Sequence, residues 1–124
     1  MSKRAAGGRN PAHILFEKHL AELALDFRRE WRFHPLRKWR FDYVIGEFVG
    51  GHWEPDSLGF EIEGAIWSNG RHTRGKGYQA DLDKYNHATA MGFRVFRFST
   101  TDVLRGRAKS FIAEHLLGQK GREG

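Results

Sequence analysis

The sequence predicts an α/β fold, a single domain with a mixed β-sheet flanked by helices in the order αβββαβα. Three observations carry this. Apolar residues recur at helical spacing in three separate segments. Short runs between them alternate aromatic or aliphatic residues with charged ones, as half-buried strands do. A chain of 124 residues that is 40% hydrophobic and 14% aromatic, with 10 Phe and 4 Trp, has enough apolar surface for one packed core. Helical and strand patterns that interleave in this way imply layered α/β packing.

Residues 1–10 and 118–124 are basic and rich in glycine, so both are expected as flexible tails around a folded domain over 11–117. Pro11 suits a first helical turn, and Ile14, Leu15, His19, Leu20, Leu23 and Phe27 share one stripe, so "PAHILFEKHLAELALDF" is expected as helix. In "REWRFHPLRKWRFDYVI", Trp31 and Phe33 share a face of one strand, Pro35 interrupts, and Trp39, Phe41 and Tyr43 share a face of a second. The turn-rich "GEFVGGHWEPDS" connects to a third strand, Leu58 to Trp67, and "SNGRHTRGKG" reads as a surface loop. A second helix is expected from Tyr78 to Met91, stopped by Gly92. "FRVFRFS" is the fourth strand, with Phe93 and Val95 inward. Thr100 or Thr101 is expected to cap a last helix through "VLRGRAKSFIAEHLL".

Twenty-one Lys and Arg against 15 Asp and Glu give a formal net charge of +6, which suits a polyanionic partner, nucleic acid first and an anionic membrane surface second. With 0 Cys there is no disulfide, thiolate nucleophile or cysteine-based zinc site. No apolar run nears the ~20 residues that span a bilayer, no signal-peptide centre is evident, and no long basic amphipathic helix is present. A cytoplasmic protein and no membrane partner are therefore expected.

The strand "LGFEIEG" carries two carboxylates. Residues two apart in a strand project together, so Glu61 and Glu63 share a face while Phe60 and Ile62 take the other. Neighbouring carboxylates repel and resist leaving water, so a positive group should sit against them. Asp42, in "KWRFDYV", joins them if the second and third strands pair antiparallel. Converging carboxylates form a hard oxygen site suited to Mg²⁺ or Mn²⁺.

A helix-borne Glu, then "FDY", then "FEIEG", then a helix and "RVFRF", over roughly Pro11 to Phe98, resembles the PD-(D/E)XK nuclease superfamily. The "EIEG…H…D..KY…G..V.RF" run is similar to small repair endonucleases of the very-short-patch type and to phage or archaeal Holliday-junction resolvases. The resemblance implies a restriction-endonuclease-like fold and a Mg²⁺-dependent endodeoxyribonuclease of a bacterial or phage-infected cell, with Mn²⁺ a possible substitute, in which Asp42, Glu61 and the Ile62 backbone carbonyl hold the ion. Glu63 stands where the family usually has Lys, so Lys84 on the following helix is the candidate replacement, and Glu63 becomes a further ligand or orients a water. Glu17 matches an acid that many members place beside the metal. Arg71, His72, Arg74 and Lys76 would contact DNA phosphates, with general-base work by His72 the lesser reading. Branched or distorted duplex is the preferred substrate, because the chain is too short for a separate sequence-reading domain. A symmetric homodimer is expected if two strands of a junction are cut.

The alternating aromatics Trp31, Phe33, Trp39, Phe41, Phe93 and Phe96 are expected in the core, and Trp53 and Trp67 at a contact surface. The alternative from another class is a non-catalytic nucleic-acid-binding protein, which explains the charge but leaves three acids at a phosphate-binding face unexplained.

Overall fold

A computed structural model describes residues 10–64 and 75–117, and of Gly75 and Lys76 only the helical backbone. The architecture is mixed α/β, as the sequence predicts, and the described residues fall into two compact units: parts of Met1–Asp26 and Phe98–Gly124 in one, of Phe27–Arg97 in the other. The expected tails, residues 1–9 and 118–124, lie outside the described residues.

The first unit is helical. In α1 (Pro11–Glu22) Asn10 caps the start, its side chain accepting the His13 backbone N–H at 3.0 Å, with Pro11 at the next position. The helix ends five residues before the apolar stripe does. Ala24 takes a left-handed conformation (φ 61°), the Ala24 N–H returns to the Ala21 carbonyl and the Leu25 N–H to that of Leu20, a Schellman stop built on alanine. Ser99, rather than either threonine, caps α3 (Thr100–Leu104): its side chain accepts from the Asp102 N–H while Asp102 accepts from the Ser99 N–H. The expected single last helix is broken at Gly106 into α3, α4 (Arg107–Phe111) and a π-helical segment, Ile112–Leu117. Phe16, Leu20, Phe98, Val103, Ala108 and Ile112 are buried here.

The second unit holds the sheet β1 (Arg28–Arg32), β2 (Arg40–Ile45), β5 (Leu58–Glu63) and β6 (Arg94–Ser99), in spatial order β1-β2-β5-β6. β1 pairs antiparallel with β2, and β2 with β5. The starts of β5 and β6 are side by side, the Arg94 N–H donating to the Ser57 carbonyl at 2.8 Å. The two strands therefore run parallel, joined by a crossover through α2 (Gly75–Ala90), and the sheet is mixed. α2 closes with Gly92 left-handed (φ 95°) and the Phe93 N–H bonded to the Ala88 carbonyl, the stop the glycine predicts.

Two features depart from the sequence reading. The turn-rich connector contains a hairpin, β3 (Phe48–Val49) and β4 (His52–Trp53), around Gly50-Gly51. The second concerns β2, where the expected shared face of Trp39, Phe41 and Tyr43 is broken at Asp42. Phe41 and Val44 belong to one buried cluster with Phe33, Trp53, Ala88 and Phe93, while Tyr43 meets Phe27 edge-on. Across the β1–β2 ladder the Glu30–Asp42 rung is missing, and Glu30 is left-handed (φ 47°), so alternation lapses at one level of both strands. No helix among the described residues is long and apolar enough to cross a membrane.

Candidate active site

The site grows out of that irregular level. Beyond the Tyr43–Phe60 pair, the β2–β5 register brings Asp42 level with Glu61. Instead of continuing the ladder, the Asp42 carboxylate accepts the Ile62 backbone N–H at 2.8 Å, which fixes it beside the Glu61–Ile62 peptide. The N–H and C=O of one strand residue project to the same side of the strand, so the Ile62 carbonyl also faces β2. Gly59 is required two residues earlier: a Cβ there would lie 2.6 Å from Phe41 Cδ2, so only glycine lets the Phe41 ring cross β5.

Phe60 and Ile62 are buried and Glu61 and Glu63 half-buried, as the alternation predicts. The carboxylates part company in their partners. Glu61 takes two residues of α2, the Lys84 ammonium on Oε2 and the Tyr85 hydroxyl on Oε1. The side chains of Glu61 and Lys84 are only 13% and 16% exposed, so each ion compensates the other's lost hydration. Lys84 also lies 5.4 Å from the centroid of the Phe41 ring. Glu63 instead pairs with Arg97 of β6, whose guanidinium sits 4.7 Å from the Tyr85 ring centroid. Burial, the hydrogen bond to Glu61 and its charge push the Tyr85 phenol well above the ordinary tyrosine range, so it stays a proton donor. The hydrogen bond that Arg97 donates to Glu63 raises the guanidinium, which stays a cation.

Of the residues singled out in the sequence, the structure brings together Asp42, Glu61, Ile62 and Lys84. Glu63 is on the same strand face but held by Arg97, and no group of three His, Cys, Asp or Glu among the described residues is disposed to hold a metal ion. Asp42 is tied to the backbone beside Glu61, and Glu61 and Glu63 each have a cation of their own. Glu17 is buried within the helical unit, in α1. Arg71, His72, Arg74, Trp67 and the side chain of Lys76 lie outside the described residues.

Sequence reasoning missed Tyr85 and Arg97. Tyr85 was absorbed into the apolar stripe of α2, and nothing in that stripe shows a hydroxyl reaching a carboxylate. Arg97 did leave a signal: it keeps the strand phase of Phe93 and Val95, so alternation sets a cation on their face, where it stays 47% exposed beside Glu63. The two tryptophans exchange roles, Trp53 buried at 4% and Trp31 exposed at 36%.

Among solved structures the chain is similar to the catalytic domain of the homing endonuclease I-Bth0305I, with a TM-score of 0.58, 16% sequence identity, and coverage of 86% of this chain and 93% of that one. No protein-family model matches the chain, and no curated protein does. At that identity the likeness is one of fold: this chain folds as that catalytic domain does.

Proposed function

We propose that the protein is a metal-dependent DNA endonuclease of the PD-(D/E)XK type. The observation that carries this reading is the pairing of Asp42 and Glu61 on adjacent strands with Lys84 on the same carboxylate, within a fold shared with an endonuclease catalytic domain. Two carboxylates and a carbonyl form an all-oxygen donor set, which fits Mg²⁺ or Mn²⁺, ions that keep several waters and take remaining ligands from substrate phosphate. Asp42, Glu61 and the Ile62 carbonyl would hold the ion. When bound, it offsets the phosphodiester's charge and lowers the pKa of the attacking water.

The chain's own groups do the rest. The Ile62 N–H holds the Asp42 carboxylate in place before any substrate arrives. Tyr85, a fixed proton donor, orients Glu61. Lys84 supplies the positive charge that the usual motif lysine provides, and stabilises negative charge building on a phosphate bound at this carboxylate. Glu63 and Arg97 form an outer pair, while Glu17 remains a candidate further acid. Arg71, His72, Arg74 and Lys76, in the segment after β5, are proposed to contact phosphates, with branched or distorted duplex as substrate and a symmetric dimer if two strands are cut.

The second reading, a non-catalytic nucleic-acid-binding domain, is favoured by one observation: Lys84 and Tyr85 already satisfy both Glu61 oxygens. Incubation of wild type with duplex, nicked, flap and four-way-junction DNA in Mg²⁺ or Mn²⁺ separates the two. The nuclease reading expects cleavage of at least one substrate, lost in Asp42→Asn with DNA binding kept. Binding without cleavage of any substrate leaves the second reading.

A further inference from the structure

All five residues of β1, the edge strand of the sheet, are exposed, among them Arg28, Arg29 and Arg32. Charge on an edge strand is expected, because it discourages pairing with another chain. Edge protection does not account for the rings beside those charges. Trp31 is 36% exposed and Phe48, on the β3–β4 hairpin, 50%. Both stand edge-on against the buried Trp53, with centroids 5.9 and 5.4 Å away. The Arg28 guanidinium lies 5.4 Å from the Trp31 ring centroid and 5.8 Å from that of Trp53.

The left-handed Glu30 produces this grouping. In a regular strand Arg28 and Trp31, three apart, would face opposite ways. The lapse at Glu30 puts them on one side, opposite Val44 and Phe41, which share the buried cluster. Glu30, the single acid of the strand, is drawn to Arg40 at 3.8 Å. The edge is left as two exposed rings on an aromatic floor with Arg28 beside them, while Arg29, 5.7 Å from the Phe27 ring centroid, and Arg32 take the other side of the strand.

We infer that this edge is a nucleic-acid contact that stacks an unpaired base on Trp31 or Phe48 and holds the adjoining phosphate with Arg28. It rests on the nucleic-acid reading above, not on hydrolysis. Every base has a π-face that an aromatic ring can stack on, and an arginine at the phosphate releases counterions from the backbone. A duplex keeps its base faces inside the stack, so the rings select strands with unpaired bases, whereas the arginine serves both forms.

Fluorescence anisotropy in EDTA, with a labelled oligothymidine and a labelled duplex of equal length over a range of salt, tests this with cleavage switched off. Trp31→Ala and Phe48→Ala are each expected to weaken single-strand binding about ten-fold and leave duplex binding unchanged. Arg28→Gln should weaken both and reduce the duplex salt slope by about 0.9. Thermal unfolding identifies a ring variant that fails to fold, in which case the arginine variant, altered only at an exposed position, decides. Wild type that binds single strands while these variants bind them equally well overturns the inference, leaves the edge to a protein partner and keeps the nucleic-acid reading. Wild type that binds neither oligonucleotide at low salt overturns both.

Discussion

Glu61 and Glu63 sit two residues apart on one face of one strand, each beside a cation, and differ in almost everything that decides chemistry. Glu61 lies next to Asp42 and is closed in by Lys84 and Tyr85, with 13% of its side chain exposed; Glu63 is 29% exposed and its partner Arg97 47%. A pair in water is screened and contributes little, whereas a pair removed from water loses much if either member goes. The strand alternation makes the two look equal. The neighbours on β2 and α2 make the first a candidate reaction centre and the second an ion pair at its rim.

The comparison breaks most sharply in catalysis. Glu61→Gln keeps shape and hydrogen bonding but removes the charge a cation needs, so the proposed cleavage should fall by about 10³-fold or more, against a few-fold at most for Glu63→Gln. Equal losses in a single-turnover assay would erase the distinction. Lys84→Met should lower the cleavage rate by about 10²-fold. It also strands a mostly buried carboxylate, so chemical denaturation should show about 1–3 kcal/mol of lost stability.

Tyr85 sharpens the contrast through pH. Its phenol is raised above the ordinary value in the folded protein, so the stability it contributes is complete below about pH 10 and is lost as pH rises beyond that, where the unfolded tyrosine ionises first. Tyr85→Phe should flatten the alkaline limb of the stability profile, and phenolate absorbance should lose a late-titrating group. An unchanged alkaline limb would show that Tyr85 does not hold Glu61 as a buried donor. The smallest effect belongs to the outer pair: Arg97→Gln should cost about 1 kcal/mol or less, and that little only at low salt.

Much of the site was legible because it follows from strand geometry: the face shared by Glu61 and Glu63, the antiparallel approach of Asp42, and the need for a cation, met by Lys84. What stayed hidden depends on long-range neighbours. The lapse in alternation at Glu30 and Asp42 has no local marker, since neither is a glycine, yet it groups Phe41 with Val44 and puts Trp31 on the side of Arg28. The two Schellman stops make the same point. Gly92 announces the end of α2, while Ala24 ends α1 at a left-handed position that costs an L-residue about 1–2 kcal/mol, so the apolar stripe runs on past the helix. The β3–β4 hairpin did leave a signal, a Gly-Gly pair between short apolar runs.

The central claim is that Asp42 and Glu61, and not Glu63, hold one divalent cation. Mn²⁺ binding followed by electron paramagnetic resonance, in the absence of DNA, measures it directly on folded wild type and three variants. The account predicts a bound ion in wild type and Glu63→Gln, and its loss in both Asp42→Asn and Glu61→Gln. Retention of the ion in Asp42→Asn and Glu61→Gln, or its loss only in Glu63→Gln, would contradict it.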